Sequence, residues 1–226
     1  MPLLVKICGL STPETLDAAL DAGADMVGFV FFPPSPRNIG LEAARKLSAR
    51  VGGRARKVAL TVDATDEQLA LITDALAPDL HQLHGRETPD RVVVVRTRFG
   101  QPVMKALPVS AREDLNAISL YADIADRILF DARAPRGATR PGGLGQPFDW
   151  HLLENLDPKL AFMLSGGLDA ANVAQAIAIT RASAVDVSSG VERAPGQKDP
   201  EKIRAFIRAA RAAAVAPKPG KIANRA

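Results

Sequence analysis

The feature that most constrains the fold of this chain is a regular alternation of short β-rich runs with helical patterns. Eight such units follow one another over 226 residues, about 28 residues each, which is close to the length of a β–α–β module. Strictly alternating units predict a parallel sheet, and eight of them fit a single α/β domain closed into a (β/α)8 TIM barrel. The predicted strands are residues 3–7, 26–32, 57–62, 79–83, 102–106, 127–130, 160–164 and 184–187.

Helices are predicted between and after these strands. In segment 89–99 the signals conflict, because the run from Val92 to Val95 favours a strand, whereas Pro89 and Gly100 suit the first turn and the end of a helix. We predict a helix there. The main rival fold, an open doubly wound sheet, is typically marked by Gly-x-Gly-x-x-Gly after the first strand, and that pattern is missing here. The predicted helices are residues 13–22, 41–50, 67–76, 89–99, 111–122, 148–155, 170–179 and 200–215.

Two segments fall outside this alternation. Residues 133–147 are rich in Gly and Pro and too long for a routine connection, so we expect a functional or mobile loop. Residues 216–226 are rich in Pro, Lys, Arg and small side chains, and we expect a disordered tail. The predicted catalytic domain is therefore 1–215.

Charge and composition narrow the classes of partner. The net charge is +4, but the basic residues are scattered and there is one Tyr and one Trp for base stacking, so we expect anionic small-molecule substrates rather than nucleic acid. The single cysteine indicates a reducing compartment. No signal peptide and no apolar run of about 18 residues is recognisable. We expect a cytoplasmic enzyme without a membrane partner, either a monomer or a homodimer.

In a barrel of this kind the chemistry lies where strands end. Cys8 ends the first strand and could act as a base, although a lone cysteine is often only a small buried side chain. Lys6 should face the same side and favour the thiolate. Asp131 ends the sixth strand as a candidate acid; the alternatives are a helix cap or a salt bridge to Arg133.

Two further side chains follow strand ends. Arg37 follows three prolines, and its guanidinium fork suits a carboxylate ligand, unless it is simply a solvated surface arginine. His84 follows the fourth strand and is either an acid–base group or a residue that only hydrogen-bonds a neighbouring loop.

The most specific local signal is a pair of glycine-rich turns after the last two strands, one containing Ser165-Gly166-Gly167 and the other Ser188-Ser189-Gly190. Loops in these positions commonly bind phosphate through backbone N–H groups. Neither a metal-ligand cluster nor a Walker-type motif is recognisable. The sequence thus predicts acid–base chemistry on a sugar phosphate without a cofactor or metal.

Taken together and in this order, the motifs resemble the phosphoribosylanthranilate isomerase family. The most distinctive are Lys6-Ile7-Cys8-Gly9 and the run Asp186-Val187-Ser188-Ser189-Gly190-Val191-Glu192. The matching segments cover the chain from the first to the last strand: 5–10, 31–37, 82–85, 129–131, 142–145 with 148–150, 164–168 and 185–192.

The resemblance implies a (β/α)8 barrel that converts N-(5-phosphoribosyl)anthranilate to 1-(2-carboxyphenylamino)-1-deoxyribulose 5-phosphate in tryptophan biosynthesis. It implies that Asp131 is the general acid, Cys8 the general base and Arg37 the group that binds the anthranilate carboxylate. Asp186 would lie near the substrate. The phosphate would rest on Gly166, Gly167, Ser189 and Gly190, with a further contact from Gly143.

Two residues depart from the family pattern, and three alternative functions compete with this interpretation. Leu144 stands where the family often has Thr or Ser, and Arg86 where it often has an acidic residue. The histidine-pathway phosphoribosyl isomerase would need aspartates where Cys8 and Lys105 stand, and a class-I aldolase would use Lys105 but leave Cys8 without a role. A non-catalytic sugar-phosphate-binding barrel is the alternative from another class.

Overall fold

The strands form a closed, eight-stranded parallel barrel, as predicted. A computed structural model describes residues 2–135, 137–138, 140–143, 145 and 147–215. The first strand pairs with both the second and the eighth, which closes the sheet. The barrel strands are β1 (Leu4–Cys8), β2 (Met26–Phe31), β3 (Arg56–Thr61), β4 (Leu80–Leu83), β5 (Val103–Val109), β6 (Arg127–Ala132), β7 (Phe162–Leu164) and β8 (Ala184–Val187).

Most helices begin and end within two or three residues of their predicted bounds. The Thr12 side chain accepts the Thr15 N–H at the start of the first helix, and Thr65 forms a capping box at the start of the third. The helices are α1 (Pro13–Asp21), α2 (Leu41–Val51), α3 (Asp66–Leu76), α4 (Pro89–Phe99), α5 (Ile118–Tyr121), α6 (Val173–Thr180) and α7 (Pro200–Val215).

Three elements differ from the prediction. Segment 111–122 is mainly a 3-10 helix, Arg112–Ala117, followed by the single turn of α5, and segment 148–155 contains only the 3-10 helix Trp150–Leu153. A short antiparallel hairpin after β8, made of β9 (Glu192–Ala194) and β10 (Gln197–Lys198), was not predicted. The expected tail, 216–226, lies outside the described residues.

The core has two layers, one between barrel and helices and one inside the barrel. Side chains alternate across each strand, so every second residue faces the interior. One interior layer is an apolar floor formed by Met26, Val58, Leu80, Met104, Ala106, Leu129, Met163 and Ala184. Polar and reactive residues come two positions later on several strands, which places them above this floor.

Among the described residues, no helix is both long and apolar enough to cross a membrane.

Candidate active site

A single cavity at the carboxyl ends of the strands collects nearly all the predicted site residues. Phe32, Leu60 and Val62 form an apolar part of its wall. Of the residues predicted to act in catalysis or binding, those lining the cavity are Cys8, Arg37, Asp131, Gly143, Gly166, Gly167, Asp186 and Ser189.

Cys8 ends β1, and its side chain is buried beside Val30 and Leu60. Burial raises the pKa of the Cys8 thiol, the Lys6 ammonium lowers it and the Asp186 carboxylate raises it; the net pKa lies above the ordinary value. Lys6 does interact with the thiol as predicted, but its Nζ donates to Asp186 Oδ1 at 2.9 Å. Lys6 thus favours the thiolate as predicted, but burial outweighs its effect on the Cys8 pKa.

Lys6 and Asp186 form a buried ion pair, in which Asp186 lines the cavity and Lys6 is fully buried. Burial alone would lower the Lys6 pKa, but the Asp186 carboxylate and Cys8 raise it, and the net pKa is raised. Ser165 Oγ lies 3.3 Å from the second oxygen of Asp186. Asp186 is thus held in one orientation, with a charge matched by Lys6.

Asp131 lies in the cavity wall and is held by His84. The distance from His84 Nε2 to Asp131 Oδ2 is 3.1 Å, and Gln82 Nε2 lies 2.9 Å from His84 Nδ1. If the Gln82 amide nitrogen donates to Nδ1, then His84 Nε2 donates to Asp131. Arg133 pairs with Asp114 instead, so the alternative reading of Asp131 as its salt-bridge partner is wrong.

Arg37 is buried, which excludes the surface-arginine alternative. Its Nε and Nη2 donate to the two carboxylate oxygens of Glu192 at 2.7 and 2.8 Å, and Nη2 also donates to the Gly143 carbonyl at 3.1 Å. Within the described residues, Nη1 has no hydrogen-bond partner. The fork expected to hold the ligand is thus occupied by Glu192, and Nη1 is the donor left for a substrate.

The two glycine-rich turns lie side by side at the cavity. Gly166 and Gly167 have φ values of +88° and +65°, a region that favours glycine. Across the described part of the chain, no protein acceptor takes the backbone N–H of Gly166, Gly167 or Ser189. Gly190 is set back from the cavity wall, and a Cβ on it would lie 1.9 Å from the Leu168 carbonyl oxygen.

Comparison with known proteins agrees with this geometry. The profile of the family described as N-(5'phosphoribosyl)anthranilate (PRA) isomerase matches residues 5–209. A similar protein from Bradyrhizobium diazoefficiens, named N-(5'-phosphoribosyl)anthranilate isomerase, is 69% identical over 212 residues, covering 94% of this chain and 95% of the relative. The chain belongs to the N-(5'-phosphoribosyl)anthranilate isomerase family. It is an isomerase of tryptophan biosynthesis.

Solved phosphoribosylanthranilate isomerases have the same fold. The Thermotoga maritima structure is 36% identical with a TM-score of 0.84, covering 93% of this chain and 99% of that one. A second structure, 34% identical with a TM-score of 0.81 and the same coverage, is a complex with reduced 1-(o-carboxyphenylamino)-1-deoxyribulose 5-phosphate.

Membership of the phosphoribosylanthranilate isomerase family leaves the rival enzyme assignments without support, and the geometry agrees. Lys105 is buried, and its Nζ donates to Glu87 at 2.8 Å and to the Gly85 carbonyl at 2.8 Å, so it is not placed as a Schiff-base lysine. Arg86 donates its backbone N–H to Asp63; nothing in the structure explains its replacement of an acidic residue. Leu144 lies outside the described residues.

Sequence reasoning missed two functional candidates in this isomerase, Glu192 and Lys198. Lys198 Nζ donates to Glu192 Oε1 at 2.8 Å and to the Ser188 carbonyl at 2.8 Å. Both residues lie on the β9–β10 hairpin. The Pro195-Gly196 pair between them is a turn signal that could have predicted this hairpin.

Proposed function

We propose that the chain is an aldose–ketose isomerase, an intramolecular oxidoreductase that uses general acid–base catalysis without a cofactor. The substrate is N-(5-phosphoribosyl)anthranilate and the product is 1-(2-carboxyphenylamino)-1-deoxyribulose 5-phosphate. The observation that carries the proposal is the position of Asp131 and Cys8, at the ends of β6 and β1, in the wall of one cavity.

Asp131 is the general acid. It protonates the furanose ring oxygen, the bond from that oxygen to C1′ breaks, and the sugar opens to a protonated Schiff base. The hydrogen bond from His84 Nε2 holds Asp131 Oδ2 in place before this transfer. Positioning of this kind lowers the entropic cost of the step.

Cys8 is the general base. Its thiolate removes the C2′ proton to give an enolamine, which tautomerises to the ketone. Although burial raises the pKa of the Cys8 thiol, the cationic Schiff base made in the first step favours a nearby thiolate and acidifies the C2′ proton. Ring opening therefore prepares the base for the second step.

The two ends of the substrate are held by different groups in the cavity wall. The anthranilate carboxylate binds Arg37 Nη1, and the aromatic ring packs against the apolar wall formed by Phe32, Leu60 and Val62. The phosphate binds the backbone N–H groups of the turns after β7 and β8, with Ser189 at their junction. Asp186 lies between these ends, below Cys8.

The acid–base assignment is tested by Cys8→Ser and Asp131→Asn. Each change should lower kcat roughly 10²- to 10⁴-fold, the range for loss of a general acid or base. A coupled fluorescence assay that follows phosphoribosylanthranilate consumption measures this, and circular dichroism checks folding. Asp126→Asn is the matched control, because Asp126 is a carboxylate just before the opposite end of β6; it should leave kcat near wild type. A folded Cys8 or Asp131 variant with wild-type kcat would disprove that assignment.

Cytoplasmic location and assembly as a monomer or homodimer stay predictions from the sequence. A relative from Thermotoga maritima, 34% identical with a TM-score of 0.81, is described as dimeric and has been converted to monomers, which supports either form here.

A further inference from the structure

Arg37 belongs to a buried group of three charged side chains, of which the proposed chemistry uses Arg37 alone. Arg37, Glu192 and Lys198 are each less than a tenth exposed. Glu192 Oε1 accepts from Arg37 Nε at 2.7 Å and from Lys198 Nζ at 2.8 Å, while Oε2 accepts from Arg37 Nη2 at 2.8 Å. We call these three residues the Arg37 triad.

The β9–β10 hairpin brings the triad together. It carries Glu192 at one end and Lys198 at the other, and its turn contains Gly196 with φ +81°. A Cβ on Gly196 would lie 2.4 Å from the Pro36 carbonyl oxygen, so the turn packs directly on the loop that carries Arg37. The hairpin thus serves as a rigid support for the Arg37 loop.

The charge of the triad explains why two partners are needed. Glu192 alone would orient Arg37 but also cancel its charge, leaving little attraction for an anionic ligand. Lys198 restores a net positive charge, because two cations and one carboxylate sum to one positive charge. The three groups are buried, so salt screens this charge only weakly. Arg37 lines the cavity, and its Nη1 is the donor through which that charge can meet a carboxylate.

We propose that Lys198 is a positioning residue that determines affinity for the substrate carboxylate, by offsetting the charge of the Glu192 that orients Arg37. This inference rests on the proposed function, in which Arg37 binds the anthranilate carboxylate. It assigns no bond-making step to either Glu192 or Lys198.

Lys198 also supports the phosphate side, so the experiment must separate two effects. Its Nζ donates to the Ser188 carbonyl at 2.8 Å and lies 3.1 Å from Ser188 Oγ, which donates to the Cys8 carbonyl at 3.1 Å. A purely structural Lys198 would therefore affect phosphate binding and carboxylate binding alike. Loss of the Lys198 charge also weakens attraction for the phosphate, so an effect through Arg37 is the extra loss that the carboxylated probe shows beyond the loss shared by all three probes.

Three probes distinguish these cases in calorimetric titrations at pH 7. They are reduced 1-(o-carboxyphenylamino)-1-deoxyribulose 5-phosphate, its counterpart without the carboxyl group, and inorganic phosphate. Lys198→Met should weaken the carboxylated probe by roughly 10-fold or more, since one charge within about 12 Å at an effective dielectric of about 20 changes binding by at least that factor. The other two probes should each lose clearly less affinity than the carboxylated probe, and by similar factors, because both depend on the phosphate alone. KM should rise while kcat falls far less.

If Lys198 acts through its charge, further variants should show a pattern of affinities that a structural defect would not produce. Glu192→Gln should bind the carboxylated probe at least as tightly as wild type, because it removes a negative charge. The double variant Lys198→Met/Glu192→Gln again has one net positive charge and should recover most of the lost affinity. Lys198→Arg should stay close to wild type. Lys46→Met, at an exposed pair with Glu42, removes the same charge and should change nothing.

A pH series adds an independent readout. Burial and, to a lesser extent, the Arg37 cation lower the Lys198 pKa, Glu192 and Cys8 raise it, and the net pKa is about 8. Because the ammonium is lost above that pH, wild-type affinity for the carboxylated probe should fall from pH 7 to 9 more than that of Lys198→Met. Lys202, on α7, is a further cation near the triad, and its Nζ donates to the Glu192 main-chain carbonyl at 2.8 Å.

Several outcomes would overturn the proposal. One is equal loss for all three probes in Lys198→Met; another is a double variant weaker than either single variant; a third is wild-type affinity in every variant. If Lys198→Met does not fold, Glu192→Gln alone decides, since weaker carboxylate binding there contradicts the charge account. Arg37→Ala tests the underlying assignment separately: if it weakens both sugar-phosphate probes equally, the proposed role of Arg37 fails.

Discussion

At the scale of single residues, the chemistry of Cys8 depends on charges distant in sequence. The alternation of side chains along β1 correctly places Lys6 and Cys8 on one side of the strand. The effect of Lys6 on the thiol is reduced because its ammonium is paired with Asp186, 180 residues later. Burial then dominates, and the net pKa of Cys8 is raised.

This raised pKa predicts the alkylation behaviour of the unliganded protein. Cys8 is the only cysteine, so iodoacetamide reports its thiolate directly. In the folded protein the alkylation rate should rise only at higher pH than in the urea-unfolded chain, because a thiol with a raised pKa ionises at higher pH. Mass spectrometry after quenching measures both profiles. A folded-state midpoint at or below the unfolded one would show that Lys6 outweighs burial.

Gly190 should matter for packing more than for direct contact with phosphate. A Cβ there meets the Leu168 carbonyl oxygen at 1.9 Å, so Gly190→Ala must push apart the turns after β7 and β8. We expect weaker binding of inorganic phosphate and of the reduced product analogue together, measured by calorimetry. Gly40→Ala is the control, since a Cβ there meets nothing within 4 Å and its φ of −82° suits alanine. Unchanged phosphate affinity in folded Gly190→Ala would place the phosphate elsewhere.

At the scale of elements, helix α4 shows burial overriding local propensity. Its four consecutive valines favour a strand in isolation. Val92 and Val95 are fully buried while Val93 and Val94 are each more than two-fifths exposed, a spacing that only a helix produces. The Thr88 side chain accepts the Arg91 N–H and caps the first turn.

The long α-helix predicted at 111–122 does not form, because this segment lacks a buried apolar face. No residue of Arg112–Ala117 or Ile118–Tyr121 is fully buried, so no apolar face stabilises a long α-helix. The segment is held instead by Asp114, whose carboxylate accepts from the Ser110 N–H at 2.8 Å and the Ala111 N–H at 3.0 Å and pairs with Arg133.

Asp114 should therefore contribute pH-dependent stability. Partial burial opposes the charged form, but hydrogen bonds from Ser110 and Ala111 and the Arg133 pair lower its pKa from 3.8 to about 2. A carboxylate with a lowered pKa stabilises the fold above its unfolded pKa and loses that effect as pH falls toward 2. Asp114→Asn should lower the free energy of unfolding by roughly 2 kcal/mol at pH 7 and by much less near pH 2. Urea titrations measure this, with exposed Asp123→Asn as control; a pH-independent difference would contradict the linkage.

At the scale of the whole molecule, the last helix secures the first strand. Arg211 on α7 donates to the Leu3 carbonyl, to the Gly23 carbonyl at 2.9 Å and to Asp25 at 2.7 Å, next to the β1–β8 pairing that closes the barrel. The closed sheet and this contact from α7 join the two ends of the folded domain.

The domain boundary at 215 can be tested by two truncations. A chain ended after Val215 should unfold at the wild-type temperature and keep full activity, because α7 and its contacts remain. A chain ended after Ala209 loses Arg211 and the buried Ala210, and its melting temperature should fall by several degrees. Calorimetry and the isomerase assay measure both. Lost activity on removing 216–226 alone would show that this segment belongs to the catalytic unit.

Much of this architecture follows from local sequence patterns. Burial of a sheet face and of a helix stripe imposes periods of two and 3.6 residues, which can be read along the chain without knowing any distant contact. The rule that chemistry gathers at the strand ends then singles out Cys8, Arg37, Asp131 and the glycine turns, all but Gly190 in the cavity wall. The fold and most of the candidate site were accessible in this way.

What local patterns could not supply was the set of partners that gives those residues their properties. Lys6 pairs with Asp186, Arg37 with Glu192 and His84 with Asp131, across 180, 155 and 47 residues of chain. No short-range period encodes such pairs, because they exist only once β1 and β8 close the barrel and the β9–β10 hairpin folds onto the Arg37 loop. The tertiary structure therefore determines the pKa of the Cys8 thiol, the pairing of the Arg37 guanidinium with Glu192 and the formation of the Arg37 triad, since electrostatic interactions depend on distances in space.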